Sequence, residues 1–148
     1  MAVYYLDTSA LVKLYVRETG TDRMIAIAAG SDPPQLAILS LARAELYSAI
    51  RRRMRTGDIE SDMVTQLLSR FESHLQTRYL RQSVSDTVLD MACSLIDRHP
   101  LRAYDAIQVA GCLTLRATVL EPPIFVCADR RLLATAQTEN LTCLDPTE

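Results

Sequence analysis

Short hydrophobic runs alternate along this chain with longer segments in which apolar residues recur every three or four positions. The short runs predict buried strands, and the longer segments predict amphipathic helices separated by glycine- and proline-rich turns. The predicted strands are residues 3–6, 35–39, 79–84, 124–127 and 142–144. The predicted helices are residues 9–16, 21–29, 40–56, 60–75, 85–98 and 104–120, with a short helix from residue 130.

The faces of three predicted helices indicate how they pack. The apolar side chains expected to face inward from the helix at residues 85–98 are Leu89, Ala92, Cys93 and Ile96. The helix at residues 104–120 is apolar over much of its circumference, so burial is expected. The apolar face from Val64 to Leu75 favours core packing, with the docking of a second subunit or partner as the alternative.

Strands that alternate with helices from end to end predict an α/β protein: a parallel sheet with helices on both faces. The chain contains no internal repeat, low-complexity tract or linker, and its 148 residues fit one domain over residues 1–148. No apolar run reaches the roughly 20 residues that span a bilayer. The segment from Met1 to Asp7 lacks a basic region and is expected to form the first strand rather than an export signal.

The cysteines and the net charge limit the cellular location and the kind of nucleic-acid binding that the sequence favours. Four cysteines occur without the spacing of a zinc site, which favours a reducing, cytoplasmic location. A net charge of -2 argues against a protein that coats nucleic acid by bulk electrostatics. Lys13 is the only lysine among 16 basic residues; arginine suits phosphate contacts, although a biased genome would produce the same skew.

Two acids follow predicted strands directly. Asp7 comes after the first strand, and Asp129 comes shortly after the run at residues 124–127. Ligands of open parallel sheets bind beyond the carboxyl ends of the strands. Either aspartate could also be only the N-cap of the helix that follows.

Two further acids lie on helices, in places where a solvated carboxylate is unusual. Glu45 lies on or beside the apolar face of its helix, and Asp105 stands in the first turn of the most apolar helix. A buried carboxylate needs a partner or a cation. Oxygen-only ligation selects Mg²⁺ or Mn²⁺, which activates water for hydrolysis of phosphodiesters. The four acids therefore predict a metal-dependent nuclease.

Four segments that contain these acids resemble the PIN domain family, and more narrowly the VapC-like toxins of toxin–antitoxin modules. They are Leu6-Asp7-Thr8-Ser9, Ala44-Glu45-Leu46, Tyr104-Asp105-Ala106 and Ala128-Asp129-Arg130 with their neighbours, in the family's order. The resemblance implies a three-layer α/β/α fold with a mostly parallel sheet of about five strands. It also implies Mg²⁺- or Mn²⁺-dependent cleavage of RNA, a small antitoxin partner and a homodimer.

The resemblance makes Asp7, Glu45, Asp105 and Asp129 the expected catalytic metal ligands, with Ser9 as a supporting hydroxyl. Cys127 departs from the pattern, since the family often has threonine or serine there. A thiol is a weaker hydrogen-bond partner than a hydroxyl.

A basic cluster ends the helix that carries Glu45, and its role stays open. Its members are Arg51, Arg52, Arg53 and Arg55. They are candidate contacts for RNA phosphates or an acidic antitoxin segment, or they complement the helix dipole. Tyr104 and the pair Tyr4-Tyr5 are expected to be packing residues rather than platforms on which bases stack.

Two other functions fit the same fold. A phosphoacceptor receiver domain would need an acid pair and a late lysine, and the only lysine, Lys13, lies near the start. A catalytically silent PIN-fold binding module would not need all four acids. The sequence favours the enzyme over both.

Overall fold

A five-stranded sheet forms the centre of the protein, whose structure is a computed structural model that describes residues 1–148. The strand order is β3-β2-β1-β4-β5, and every neighbouring pair is parallel. The strands are β1 (Val3–Leu6), β2 (Gln35–Leu39), β3 (Tyr79–Gln82), β4 (Ile124–Val126) and β5 (Thr142–Leu144). The predicted third strand is two residues too long, because β3 is an edge strand and its only neighbour, β2, ends at the partner of Gln82.

Seven helices connect and cover the strands. They are α1 (Thr8–Leu11), α2 (Thr21–Ala28), α3 (Ala42–Arg55), α4 (Ser61–Thr77), α5 (Asp86–Arg98), α6 (Ala103–Arg116) and α7 (Arg130–Thr138). The predicted first helix is shorter than expected: α1 tightens into a 3₁₀ turn over Val12–Leu14, as helix ends often do. The sixth is also shorter and ends at Arg116, so Leu120 is fully exposed. No helix combines the length and apolar character needed to cross a bilayer.

Two hydrophobic clusters lie on opposite faces of the sheet and give the predicted three-layer α/β/α fold. Alternation of side chains along β1 sends Tyr5 to one cluster and Leu6 to the other. The first cluster contains buried residues of α5, α6 and α7, and the second contains those of α1 to α4. The apolar face of α4 belongs to the second cluster, so its expected core packing is confirmed.

The prediction of which α5 side chains face inward is mostly wrong. Ala92 is buried as expected, but Leu89 and Ile96 are 40% and 41% exposed, and Cys93 is exposed as well. The side chains that α5 buries are Val88, Ala92 and Leu95. The helix carries two apolar stripes, and the packing of α5 against α6 buries only one of them.

Helix α6 lies close against the sheet because Gly111 lacks a side chain. A Cβ atom built at Gly111 would lie 2.7 Å from Leu39 Cδ1 and would also collide with the Tyr5 hydroxyl. This close approach brings the polar side chain of Gln108, one turn earlier on α6, under the carboxyl ends of the central strands.

Candidate active site

A cleft of about 570 Å³ lies between α3 and the start of α6. Glu45 projects into it from the first turn of α3, and Asp105 projects into it from the first turn of α6. Thr8, which directly follows the end of β1, lines the same cleft. The structure therefore brings Glu45 and Asp105 to one cavity at the carboxyl edge of the sheet.

Asp7 directly precedes Thr8, does not itself line the cleft and is only 6% exposed. Its Oδ1 accepts hydrogen bonds from Ser9 Oγ at 2.6 Å and from the Ala10 backbone N–H at 3.1 Å, so Asp7 also caps α1. Burial raises the pKa of Asp7 from 3.8 to about 6, and the negative charge of Glu45 adds to this, against the opposing effect of its hydrogen bonds. A cation beside Asp7 would therefore stabilise its charged form.

Glu45 is held by Gln108, a residue that the sequence pattern did not single out. Gln108 is 3% exposed, and its Nε2 donates to Glu45 Oε1 at 2.9 Å and to Thr8 Oγ1 at 3.3 Å. The Tyr5 hydroxyl lies 3.5 Å from Gln108 Oε1. The sequence could have indicated Gln108, because it is an amide in an otherwise apolar helix and lies three residues after Asp105.

Asp105 has a weak basic partner. Arg102 Nε donates to Asp105 Oδ2 at 3.3 Å, but the arginine side chain is 86% exposed. An ion pair so open to water contributes little stability. The charge of Asp105 is therefore only partly compensated.

Asp129 is placed differently from the other three acids. It is exposed and caps α7, with its Oδ1 accepting from the backbone N–H groups of Arg131 at 2.9 Å and Leu132 at 3.3 Å. It does not line the cleft that contains Glu45 and Asp105. The capping alternative that the sequence left open describes the side chain of Asp129 in this structure.

Cys127 and Ser9 connect the ends of the two central strands. The Cys127 thiol donates to Asp7 Oδ2 at 3.2 Å, and the Asp129 backbone N–H donates to Cys127 Sγ at 3.3 Å. Ser9 Oγ accepts from the Ala128 backbone N–H at 2.9 Å. Burial raises the pKa of Cys127, which keeps the thiol protonated and able to donate. These contacts fix the position of the Asp7 carboxylate.

The four arginines at the end of α3 have different environments. Arg53 forms an ion pair with Glu18, which also holds the buried Lys13. Arg52 is exposed, lines the cleft and has no acidic partner. The remaining two members do not line the cleft and pair with no acid: Arg51 contacts the sulfur of Met54, and Arg55 is exposed.

Carboxylate oxygens are the donors that Mg²⁺ and Mn²⁺ prefer, and no lysine, arginine or histidine forms an ion pair with Asp7 or Glu45. The donor chemistry and uncompensated charge thus fit a divalent cation. In this geometry, however, no three acidic, histidine or cysteine side chains are grouped closely enough to hold a metal ion. The four-carboxylate metal site stays a prediction.

The fold and site define an α/β/α protein with an acidic cleft beyond the carboxyl ends of its central strands. The PIN domain family profile matches residues 4–137, and the chain belongs to this family. No curated protein matches the chain.

Solved structures share the fold at low sequence identity. A chain of a toxin–antitoxin complex from Klebsiella pneumoniae has a TM-score of 0.68 and 17% identity, over 98% of each chain. A chain of VapBC2 from Rickettsia felis, bound to a DNA fragment from the promoter, has a TM-score of 0.66 and 14% identity, over 97% of this chain and 98% of that one. PAE2754 from Pyrobaculum aerophilum has a TM-score of 0.64 and 23% identity, over 98% and 90%. These likenesses establish the α/β/α fold.

Proposed function

We propose that this protein is a metal-dependent endoribonuclease and the toxin of a toxin–antitoxin pair. PIN domains are generally nucleases. The observation that carries the proposal is the buried Asp7 carboxylate, which has no basic partner and lies close enough to Glu45 for their charges to repel. Leaving the buried Asp7 carboxylate without a basic partner costs folding stability, and a site that binds a cation explains the arrangement.

In this proposal Asp7, Glu45 and Asp105 hold Mg²⁺ or Mn²⁺, with Asp129 at the periphery. The ion supplies an acidified water and charge stabilisation at phosphorus. Ser9 and Cys127 hold the Asp7 carboxylate in place, and Gln108 holds Glu45. Arg52 and Arg102 lie at the cleft, where guanidinium groups suit phosphate oxygens.

The biological setting is part of the same proposal. We include a small antitoxin, because the Klebsiella pneumoniae structure with this fold comes from a toxin–antitoxin complex. We also include a homodimer, as the resemblance to VapC-like toxins implies. A cytoplasmic location is supported by the four cysteines, none of which forms a disulfide. Residues 1–148 are proposed to act as one nuclease domain.

Cleavage of RNA tests the activity. The purified protein is expected to cut single-stranded RNA in Mg²⁺ or Mn²⁺ and to leave it intact in EDTA. Asp7→Asn should lower the rate about 100-fold or more, since it removes the buried ligand charge. Asp62→Asn, on the exposed face of α4, is the matched control and should cut at the normal rate. Cleavage that survives Asp7→Asn unchanged would show that the nuclease is a contaminant or that the site lies elsewhere.

A catalytically silent binding module is the alternative, and metal-binding calorimetry combined with the cleavage assay separates it from the enzyme. Binding of Mn²⁺ to the wild type but not to Asp7→Asn, together with no cleavage of any RNA, would support the silent module. Binding of Mn²⁺ together with cleavage supports the nuclease.

A further inference from the structure

Tyr104 is the only exposed aromatic side chain in the chain. Of the six tyrosines and two phenylalanines, the others are buried or half-buried, whereas Tyr104 is 63% exposed. The expectation that Tyr104 is a packing residue is therefore wrong. It is the second residue of α6, and at that position its ring points away from the clusters that α6 helps to form. Its hydroxyl makes no hydrogen bond to the protein, so the ring has no evident structural task.

The exposed ring lies in the acidic cleft itself. Tyr104 lines the cleft together with Glu45 and Asp105. Two guanidinium groups line it as well: Arg52, which has no acidic partner, and Arg102, which is largely exposed. The cleft thus combines an aromatic face, two cations and two carboxylates within about 570 Å³.

This combination is complementary to a nucleotide whose base is unpaired. Bases stack on tyrosine rings, and each stacked base contributes enough that removing the ring weakens binding roughly 5- to 150-fold. A base inside a duplex has both faces covered by its neighbours, so only a base at an end could stack on a ring from outside. Arginine side chains beside the ring suit the phosphates on either side of such a base.

We propose that the Tyr104 ring stacks on an unpaired base of the substrate next to the bond that is cleaved, while Arg52 and Arg102 contact the adjoining phosphates. In naming RNA as the ligand, this inference rests on the proposed function. It assigns Tyr104 a role in selecting unpaired nucleotides, with no part in the chemical step.

Fluorescence tests the stacking without cleavage, because the chain contains no tryptophan. Tyr104→Trp in an Asp7→Asn background, kept in EDTA, places a single indole in the cleft. A short single-stranded RNA of mixed sequence is expected to quench this indole, and the same strand annealed to its complement should quench it much less. The matched control is Leu120→Trp in the same background, at a fully exposed position outside the cleft, which should not respond.

Three outcomes would overturn the inference. They are no quenching of the cleft indole by single-stranded RNA, equal quenching by the duplex, and equal quenching of the control indole at position 120. An abasic version of the same strand adds a further check. It keeps the phosphates but has no base to stack, so it should leave the cleft indole bright.

Kinetics separates this inference from the proposed function. In the otherwise wild-type protein, Tyr104→Ala should raise KM for single-stranded RNA about 5-fold or more with kcat largely kept, and Tyr104→Phe should behave as wild type. Tyr104→Leu keeps an apolar side chain but lacks the ring, and should behave like Tyr104→Ala. If the wild type cuts RNA and Tyr104→Ala has an unchanged KM, the stacking role fails and the nuclease stands. If the indole is quenched but no RNA is ever cut, the nuclease fails and the base-binding cleft stands.

Discussion

At Asp7, burial of a carboxylate makes the stability of the metal-free protein depend on pH. Its pKa is about 6 in the folded protein and near 3.8 in the unfolded chain. Between these values the unfolded chain releases a proton that the folded protein keeps, so the free energy of unfolding falls as pH rises from about 4 to above 6. A difference of about two pKa units corresponds to ~3 kcal/mol.

Asp7→Asn removes this ionisation. In EDTA at pH 7.5 it should raise the free energy of unfolding by about 1–3 kcal/mol, and the gain should disappear near pH 4, where Asp7 is protonated in both states. Urea unfolding at a series of pH values measures this. Asp62→Asn, on the surface of α4, should show no such pH-dependent gain. A gain for Asp7→Asn that is the same at every pH would mean that ionisation of Asp7 is not its cause.

Cys127 offers a second prediction at this scale. Its thiol, a weak donor, lies 3.2 Å from Asp7 Oδ2. Cys127→Ser places a stronger donor there and should lower the pKa of Asp7 by up to about one unit, because hydrogen bonds to a carboxylate favour its charged form. Carboxyl ¹³C shifts followed by NMR in metal-free protein measure the pKa. Cys93→Ser, on the exposed side of α5, should leave it unchanged. A pKa of Asp7 that Cys127→Ser leaves unchanged or raises would contradict the role of the thiol.

At the scale of elements, Gly111 fixes how closely α6 approaches the sheet. Gly111→Ala would normally favour a helix, but the added methyl group collides with Tyr5 and Leu39. We expect a net loss of about 1–3 kcal/mol in the free energy of unfolding, measured by urea denaturation. Gly30→Ala, in an exposed turn where the added methyl group lies 3.3 Å from the Ala26 carbonyl oxygen and meets no side chain, should cost clearly less than Gly111→Ala. A neutral Gly111→Ala would show that α6 can move away from the sheet without cost.

The order and type of the elements could be predicted from the sequence, because strand-like and helix-like periods are local properties. The burial of α5 could not. Leu89, Cys93 and Ile96 form one apolar stripe and Val88, Ala92 and Leu95 form another, and only the packing against α6 decides which stripe is buried. The length of β3 was missed for a similar reason, since a strand at the edge ends where its single neighbour ends.

The arginines at the end of α3 are alike in sequence, but their tertiary contacts give them different roles. Arg53 joins Glu18 and the buried Lys13, so Arg53→Ala should cost about 1–2 kcal/mol in the free energy of unfolding by leaving the other charges less well satisfied. Arg52→Ala should leave stability within about 0.5 kcal/mol but weaken RNA binding and reduce its dependence on salt. Urea unfolding and a salt titration of binding measure the two effects. Equal effects of both substitutions on stability would contradict this division.

At the scale of the whole molecule, the sequence predicted which edge of the sheet carries Asp7 and Glu45 but not the contacts that these acids make. Strand-end position was enough to place Asp7 at the carboxyl edge, and helical facing was enough to direct Glu45 toward it. The sequence could not show that Gln108 reaches across to Glu45, because that contact joins α6 to α3. Nor could the sequence show that the Asp129 carboxylate caps α7. An aspartate between a strand and a helix can be an N-cap or a metal ligand, and the sequence is the same in both cases.

Metal binding by acids from different elements should raise one measurable property of the whole protein, its melting temperature. A ligand that binds only the folded protein at 100 times its Kd stabilises it by ~2.7 kcal/mol, which corresponds to roughly 5–10 °C for a domain of this size. We expect Mn²⁺ or Mg²⁺ to raise the melting temperature of the wild type at pH 7.5 by such an amount, and Asp7→Asn to abolish the rise.

The metal-dependent rise in melting temperature also shows whether Asp129 is a metal ligand. Asparagine is as good an N-cap as aspartate, so Asp129→Asn keeps the cap of α7 and removes only the charge. Because the carboxylate is exposed and already accepts two backbone N–H groups, Asp129→Asn should remove a smaller part of the metal-dependent rise than Asp7→Asn does. An undiminished rise would show that Asp129 is a cap and not a ligand, whereas complete loss would place its carboxylate on the ion beside Asp7.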